Sequence, residues 1–226
     1  MRLGWPVSNV WLLPDTPCGP LLIDCGFPAL WPAILLGLRR HGLRPEQLAA
    51  VILTHRHSDH AGNAARLRQR HGVPIHAHAA DAAVLRGEAP RPPLPEPLDL
   101  GGLMSRIENR LPVRVPGVRD LEQGQLIAGL EVIWVPGHTA GSIFLHHRGA
   151  GALFSGDALL NAIPPSTARS ALSLPYPIFC EDHGRALRSL ANVLARDLPV
   201  RTLYAGHGPP RRGEIDVALS RLLAGA

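Results

Sequence analysis

The chain contains no lysine: its 23 basic residues are all arginine, scattered along 226 positions rather than gathered into a block. The formal net charge of +5 therefore reads as a solvated surface, not as a nucleic-acid-binding face. Cysteine is scarce. Cys18, Cys25 and Cys180 are odd in number and show no C-x-x-C spacing, which argues against a disulfide framework. All three read as small buried or indifferent side chains, with Cys180, beside an expected cleft, the one to check for reactivity. No apolar run reaches the ~18 residues of a membrane-spanning helix. Met1-Arg2-Leu3-Gly4-Trp5-Pro6 also lacks the charged-then-apolar layout of a secretory signal, so the expected location is the cytoplasm, without membrane association. What remains is 46% apolar and 18% charged, ordinary for a globular chain long enough to form one domain over residues 1–226.

The most informative stretch is His55-Arg56-His57-Ser58-Asp59-His60, directly after the apolar run Val51-Ile52-Leu53. If that run is a buried strand leading into a loop, His55 and His57, two apart, point to the same side. Asp59 and His60 follow at the turn into a helix beginning near Ala61 and face the same cavity from a second direction. Two pairs of ligands result, one for each of two neighbouring ions. The bland alternative makes Asp59 a helix N-cap and the histidines solvated loop residues.

The same chemistry recurs further along the chain. Gly137-His138-Thr139-Ala140-Gly141-Ser142 follows the strand-like Glu131 to Val135, Asp157 follows Leu153-Phe154-Ser155-Gly156, and Gly206-His207-Gly208 follows Thr202 to Ala205. Each has the form apolar strand, glycine, ligand-type side chain, as when strand ends present residues to a shared cleft. Asp24, after Leu21-Leu22-Ile23, reads equally as an acceptor that fixes a histidine tautomer or as a turn residue. Thr54 and Thr139 share that ambiguity. The other histidines read as surface or strand residues.

These motifs resemble the metallo-β-lactamase superfamily of metallohydrolases, and Ser8 to Leu13 and Leu21 to Gly26 match its opening strands. The resemblance implies an αββα four-layer sandwich within the α/β class. It places His55, His57 and His138 on a first metal, Asp59, His60 and His207 on a second, and Asp157 between them. Imidazole and carboxylate without thiolate suit two zinc ions, though iron or manganese would also accept the set. A water held between two such ions loses a proton near neutral pH and becomes a nucleophile for an acyl or phosphoryl bond. Asp59 would orient it and pass a proton to the leaving group.

Periodicity alone stops at α/β. It predicts strands near 9–13, 20–24, 50–54, 73–77, 113–116, 125–128, 130–135, 142–147, 151–155 and 200–205. Helices are predicted near 28–41, 61–71, 181–197 and 213–224; Leu187, Leu190, Ala191 and Leu194 give the third of these a buried face. Two segments interrupt the plan. A proline-rich connector precedes an apolar stripe of Leu100, Leu103, Met104, Ile107 and Leu111 at helical spacing. This 88–111 insert reads as a lid, a homodimer surface or plain packing on the sandwich. The loop from Leu159 to Phe179, with Ile163, Leu172, Leu174, Tyr176 and Ile178, hints at a partly apolar acyl group, with Tyr176 as a hydrogen-bond donor to substrate.

Among branches of the superfamily, glyoxalase II-like thioesterases share the H-x-H-x-D-H, G-H-T and G-D elements but carry a longer C-terminal helical region. The ribonuclease-type members need an RNA-binding arm that this sequence does not supply, and the missing secretion signal disfavours a β-lactam substrate. The expected activity is binuclear zinc-dependent cleavage of a small-molecule thioester or lactone. The alternatives are a mononuclear iron persulfide dioxygenase and a metal-binding scaffold without turnover.

Overall fold

A computed structural model describes residues 1–3, 8–162 and 170–225. The first half runs β1 (Trp11–Leu13), β2 (Leu21–Ile23), α1 (Trp31–Arg40), β3 (Ala50–Ile52), α2 (Ser58–Ala61), α3 (Ala64–His71), β4 (Ile75–His78), α4 (Ala79–Arg86), α5 (Leu100–Arg110) and β5 (Arg119–Leu121). The second runs β6 (Leu126–Ile127), β7 (Leu130–Trp134), β8 (Ile143–His147), β9 (Ala152–Gly156), α6 (His183–Leu194), β10 (Thr202–Ala205), β11 (Arg211–Arg212) and α7 (Ile215–Ala224).

Strands β1 to β5 form one sheet in sequence order; the other has the order β11-β10-β9-β8-β7-β6. Strands β2 through β5 pair in parallel, which helices on the outer face permit, whereas β6 through β9 form an antiparallel meander.

Alternation along each strand builds the four layers. Trp11, Leu21, Ile23 and Ile52 of the first sheet meet Leu130, Val132, Ile143, Leu145 and Phe154 of the second in a central core. Their neighbours Leu12, Leu22 and Val51 point the other way, against Ile34, Leu38 and Leu67 of α1 and α3. On the far side Ile133, Phe144 and Leu153 pack on Leu190 of α6 and Leu219 of α7. Two-residue side-chain period and two buried faces per sheet thus yield helix, sheet, sheet, helix: the αββα sandwich. The sheets join at one end, where the Ile143 amide donates to the Thr54 carbonyl at 2.9 Å and the Asn9 amide to Gly206 at 2.7 Å.

Several boundaries differ from the sequence expectations. The helix expected from residue 28 starts as a 3-10 turn, Pro28–Leu30, and that expected from 61 is split into α2 and α3. The strand expected at 113–116 is irregular, because Pro112 and Pro116 bracket it without amide donors; the paired strand is β5 instead. Helix α4 was not expected. Its run of alanines carries helix propensity without an apolar period; the His78 imidazole accepts from the Ala80 amide at its start, and Gly87 ends it at φ +87°. On α6 the buried residues are Ala186, Leu190 and Val193, while Ala191 is exposed. Ile163 lies outside the described residues.

Phe144, fully buried between the second sheet and its helices, tests that packing. Phe144→Ala is expected to cost about 3–5 kcal/mol in urea unfolding, with the slope unchanged.

Candidate metal centre

The cleft lies where the sheets join. Past β3 the chain stays extended to His57, whose φ of −62° and ψ of 152° hand over directly to α2 at Ser58. His55 and His57 are both buried and project to one side, their ring centroids 4.9 Å apart. Asp59 and His60 lie inside the first turn of α2 rather than before it, and the N-cap is His57, so the capping reading of Asp59 does not hold. The turn between β7 and β8 delivers His138, with its ring 4.7 Å from those of both His55 and His57. Asp157 follows β9 and His207 follows β10.

The structure brings together all seven expected ligands in two groups: His55, His57 and His138; and Asp59, His60, Asp157 and His207. Within each, the donor atoms lie within 4.8 Å of one another. Asp157 stands between the groups. Its Oδ1 is 3.1 Å from His60 Nε2, and its Oδ2 is 3.0 Å from His207 Nε2 and 4.0 Å from His138 Nε2. Asp59 Oδ2 lies 3.4 Å from His60 Nε2 and 3.3 Å from His207 Nε2.

Among the described residues, Nε2 of His55, His57 and His138 are buried without a hydrogen-bond partner, while His60 Nε2 and Asp157 Oδ1 face each other at 3.1 Å. Each such orphan costs about 1–3 kcal/mol unless something satisfies it. Three orphaned imidazole nitrogens beside a cluster of two imidazoles and two carboxylates fit divalent metal ions.

The opposite ring edges are engaged. Asp24 Oδ2 faces His60 Nδ1 at 2.8 Å, while Asp24 also accepts from the Thr54 amide at 2.7 Å and the Thr54 hydroxyl at 2.8 Å. Thr54 Oγ1 in turn meets His55 Nδ1 at 3.1 Å. Asp24 therefore acts as the tautomer-fixing acceptor, held at φ +60°, a conformation Asp tolerates better than most residues. Behind His138, Cys180 Sγ lies 3.7 Å from Nδ1 and donates to the Tyr176 carbonyl at 3.2 Å. Burial pushes the Cys180 thiol up to about 12, so it is an inert neutral neighbour.

Charge differs between the two groups. Burial, reinforced by adjacent imidazoles, holds His55 and His57 well below the ordinary histidine range, and burial brings His138 down to about 4. These three are neutral, the form that ligates. Burial opposes ionisation of Asp59 and Asp157, yet His60 and His207 hold both carboxyls well below the usual range. Burial likewise disfavours the charged His207, but Asp157 and Asp59 push it up to about 10.

Sequence reasoning missed the support beneath these ligands. Arg56, between the two histidines, points away from them into the protein, where it pairs with Glu181 and lies 3.8 Å from Asp81. Asp81 accepts from the Thr139 hydroxyl at 2.7 Å and the Gly141 amide at 3.0 Å; Glu181 accepts from the Ala140 amide at 2.9 Å. This network ties the His55–His57 segment to the His138 loop, and it settles Thr139 as a positioning residue. The signal was the alternation itself: a residue between two inward histidines faces the other way. Tyr176 stands outside both ligand groups, half-buried before the 3-10 turn Pro177–Phe179.

Two substitutions probe the assembly. Asp24→Asn replaces the acceptor facing His60 Nδ1 by an amide, and is expected to weaken one metal equivalent about 10–100-fold in chelator competition with the fold retained. A Cβ at Gly206 would lie 2.1 Å from Asp157 Oδ1 and 2.7 Å from His60 Cε1. Gly206→Ala is therefore expected to lower metal content in elemental analysis.

Comparison with known proteins agrees with this geometry. Residues 3–207 match the family model of the metallo-beta-lactamase superfamily. A probable metallo-hydrolase of Bacillus subtilis (strain 168), YflN, is 28% identical over 222 residues, covering 92% of this chain and 83% of that protein. An acyl-coenzyme A thioesterase of Gallus gallus, MBLAC2, is 35% identical over 173 residues, covering 67% of this chain and 57% of that protein. Among solved structures, TTHA1623 in a di-iron-bound form superposes with a TM-score of 0.68 at 27% identity, covering 99% of this chain and 96% of that one. Fold, strand-end ligands and family match together place the chain in the metallo-beta-lactamase superfamily.

Proposed function

We propose that this hydrolase holds two divalent cations, zinc in the first instance, and cleaves the acyl bond of a small-molecule thioester or lactone. The observation that carries the reading is the convergence of two groups of donors: His55, His57 and His138, with buried, partnerless Nε2 atoms, and Asp59, His60, Asp157 and His207 beside them. His55, His57 and His138, as neutral imidazoles, would hold the first ion, and Asp59, His60 and His207 the second, with Asp157 shared. When bound, such ions supply Lewis acidity and lower the pKa of water toward neutrality.

The chain's own residues do the rest. Asp24 and Thr54 hold His60 and His55 in one tautomer, and Arg56 and Glu181 fix the His138 loop against the His55–His57 segment. Asp59, kept ionised by its imidazole neighbours, accepts a proton in the cleft and returns it to the leaving group. The thioesterase relative supports acyl cleavage, and the half-buried Tyr176 is placed in the substrate wall by this proposal. The di-iron neighbour makes iron the second choice of metal. Among the described residues no helix is long and apolar enough to cross a membrane. Three free thiols support a cytoplasmic location, and the scattered arginines support a small-molecule partner rather than nucleic acid.

Metal analysis of the purified protein should find about two equivalents per chain. Chelation should abolish turnover of thioesters or lactones in a panel that also holds phosphodiesters and persulfides, and metal should restore it. Asp59→Asn should lower kcat by about 10²–10⁴-fold. A single iron with persulfide oxidation would replace the hydrolase by a dioxygenase; bound metal with no turnover on any member would leave a scaffold.

A further inference from the structure

Helix α5 is inside out. Its buried positions are Gly102, Ser105 and Glu108, whereas Leu100, Leu103, Met104, Ile107 and Leu111 are exposed, preceded by the fully exposed Leu98. The polar inner face is committed: Glu108 accepts from the Ser58 amide at 3.0 Å and pairs with Arg91 at 3.0 Å, and Ser105 donates to the Ile178 carbonyl at 3.5 Å. Because that face meets α2 and the 3-10 turn beside the metal centre, the apolar stripe is turned away from the cleft. A lid would present it the other way.

We propose that the stripe is a homodimer surface on which α5 pairs antiparallel with α5 of a second copy of this chain. Leu100, Met104, Ile107 and Leu111 are spaced 4, 3 and 4 residues apart, the alternation of a coiled-coil seam, and the series reads the same in both directions. Antiparallel pairing therefore sets Leu100 opposite the second copy's Leu111, and Met104 opposite its Ile107, in the self-matching arrangement that a two-fold axis requires. Charge agrees. The exposed Asp99 caps the start of the helix and the exposed Arg110 ends it, so the same pairing brings each acid to the other copy's base and opposes the helix dipoles. A bilayer-facing helix would instead carry a solvent-exposed polar face rich in basic residues, whereas the polar face of α5 is buried around Ser105 and Glu108.

Sedimentation of the full chain from low to high micromolar concentration should show a reversible monomer–dimer equilibrium. Met104→Glu combined with Ile107→Glu should leave a folded monomer with unchanged metal content, and Arg110→Glu should raise the dissociation constant several-fold. On a Cys18→Ser background, mixed Met104→Cys and Ile107→Cys chains should oxidise to the heterodimer in preference to either homodimer. The proposal is overturned by a chain that stays monomeric at every concentration. It is equally overturned by a dimer indifferent to the double substitution, by preferential 104–104 crosslinks, or by a monomer that co-sediments with anionic vesicles through this stripe.

Discussion

The constraint on which everything else in this molecule depends is that three imidazole nitrogens, Nε2 of His55, His57 and His138, are buried together with no hydrogen-bond partner. A fold gains nothing from such an arrangement by itself, since each group gives up its hydration without compensation. The geometry becomes favourable when cations occupy the cavity, so metal binding and stability of this edge of the sandwich are one free-energy term. That explains why the ligands enter from strand ends, a turn and the first turn of the short α2, and not from the sheet interiors. The interiors of both sheets are committed to apolar packing on both faces, and polar donors can converge only where the strands stop.

Arg56 shows how the ligand positions are held to one another. A buried guanidinium is costly unless paired, and here two carboxylates, Asp81 and Glu181, approach it from different elements. Asp81 sits in α4, Glu181 precedes α6, and both also accept amides of the turn that carries His138. The group of neutral histidines thus spans the two sheets, and its spacing is set by charged hydrogen bonds rather than by apolar contact. Burial, partly offset by Arg56, raises the Asp81 carboxyl to about 6, as expected where one cation serves two acids.

Much of this was legible in the chain. The pair His55 and His57 after an apolar strand pointed to the centre because side-chain direction in extended backbone has a period of two, whereas Asp59 and His60 reach it from the first turn of α2. His138, Asp157 and His207 were legible through a different signal, each being a ligand-type side chain that follows a strand and a glycine. The four-layer architecture was not readable from periodicity and came through family resemblance; in the structure it follows from the alternation of residues such as Trp11 and Leu12 between two cores. Helix α4 and its Asp81 went unseen because alanine carries propensity but no apolar period. The role of Arg56 went unseen because its partners lie 25 and 125 residues away. Alternation along the extended segment sets which way Arg56 points, but not which distant carboxylates meet it.

The inversion of α5 has a physical origin in the centre it borders. Helix α2 presents unbonded amides at its first turn, and that turn carries two of the ligands, Asp59 and His60. The Glu108 carboxylate satisfies the Ser58 amide and complements the positive end of the helix, and Arg91 compensates its burial. To deliver that carboxylate, α5 must turn its polar side inward. The stripe of Leu100, Met104, Ile107 and Leu111 is then left facing outward by the geometry of a helix whose opposite side supports the ligand-bearing turn. Supporting the metal centre and exposing an apolar seam are therefore two faces of one helical register. A sequence pattern of period 3.6 reports that such a stripe exists, but not which side of the helix the rest of the chain requires.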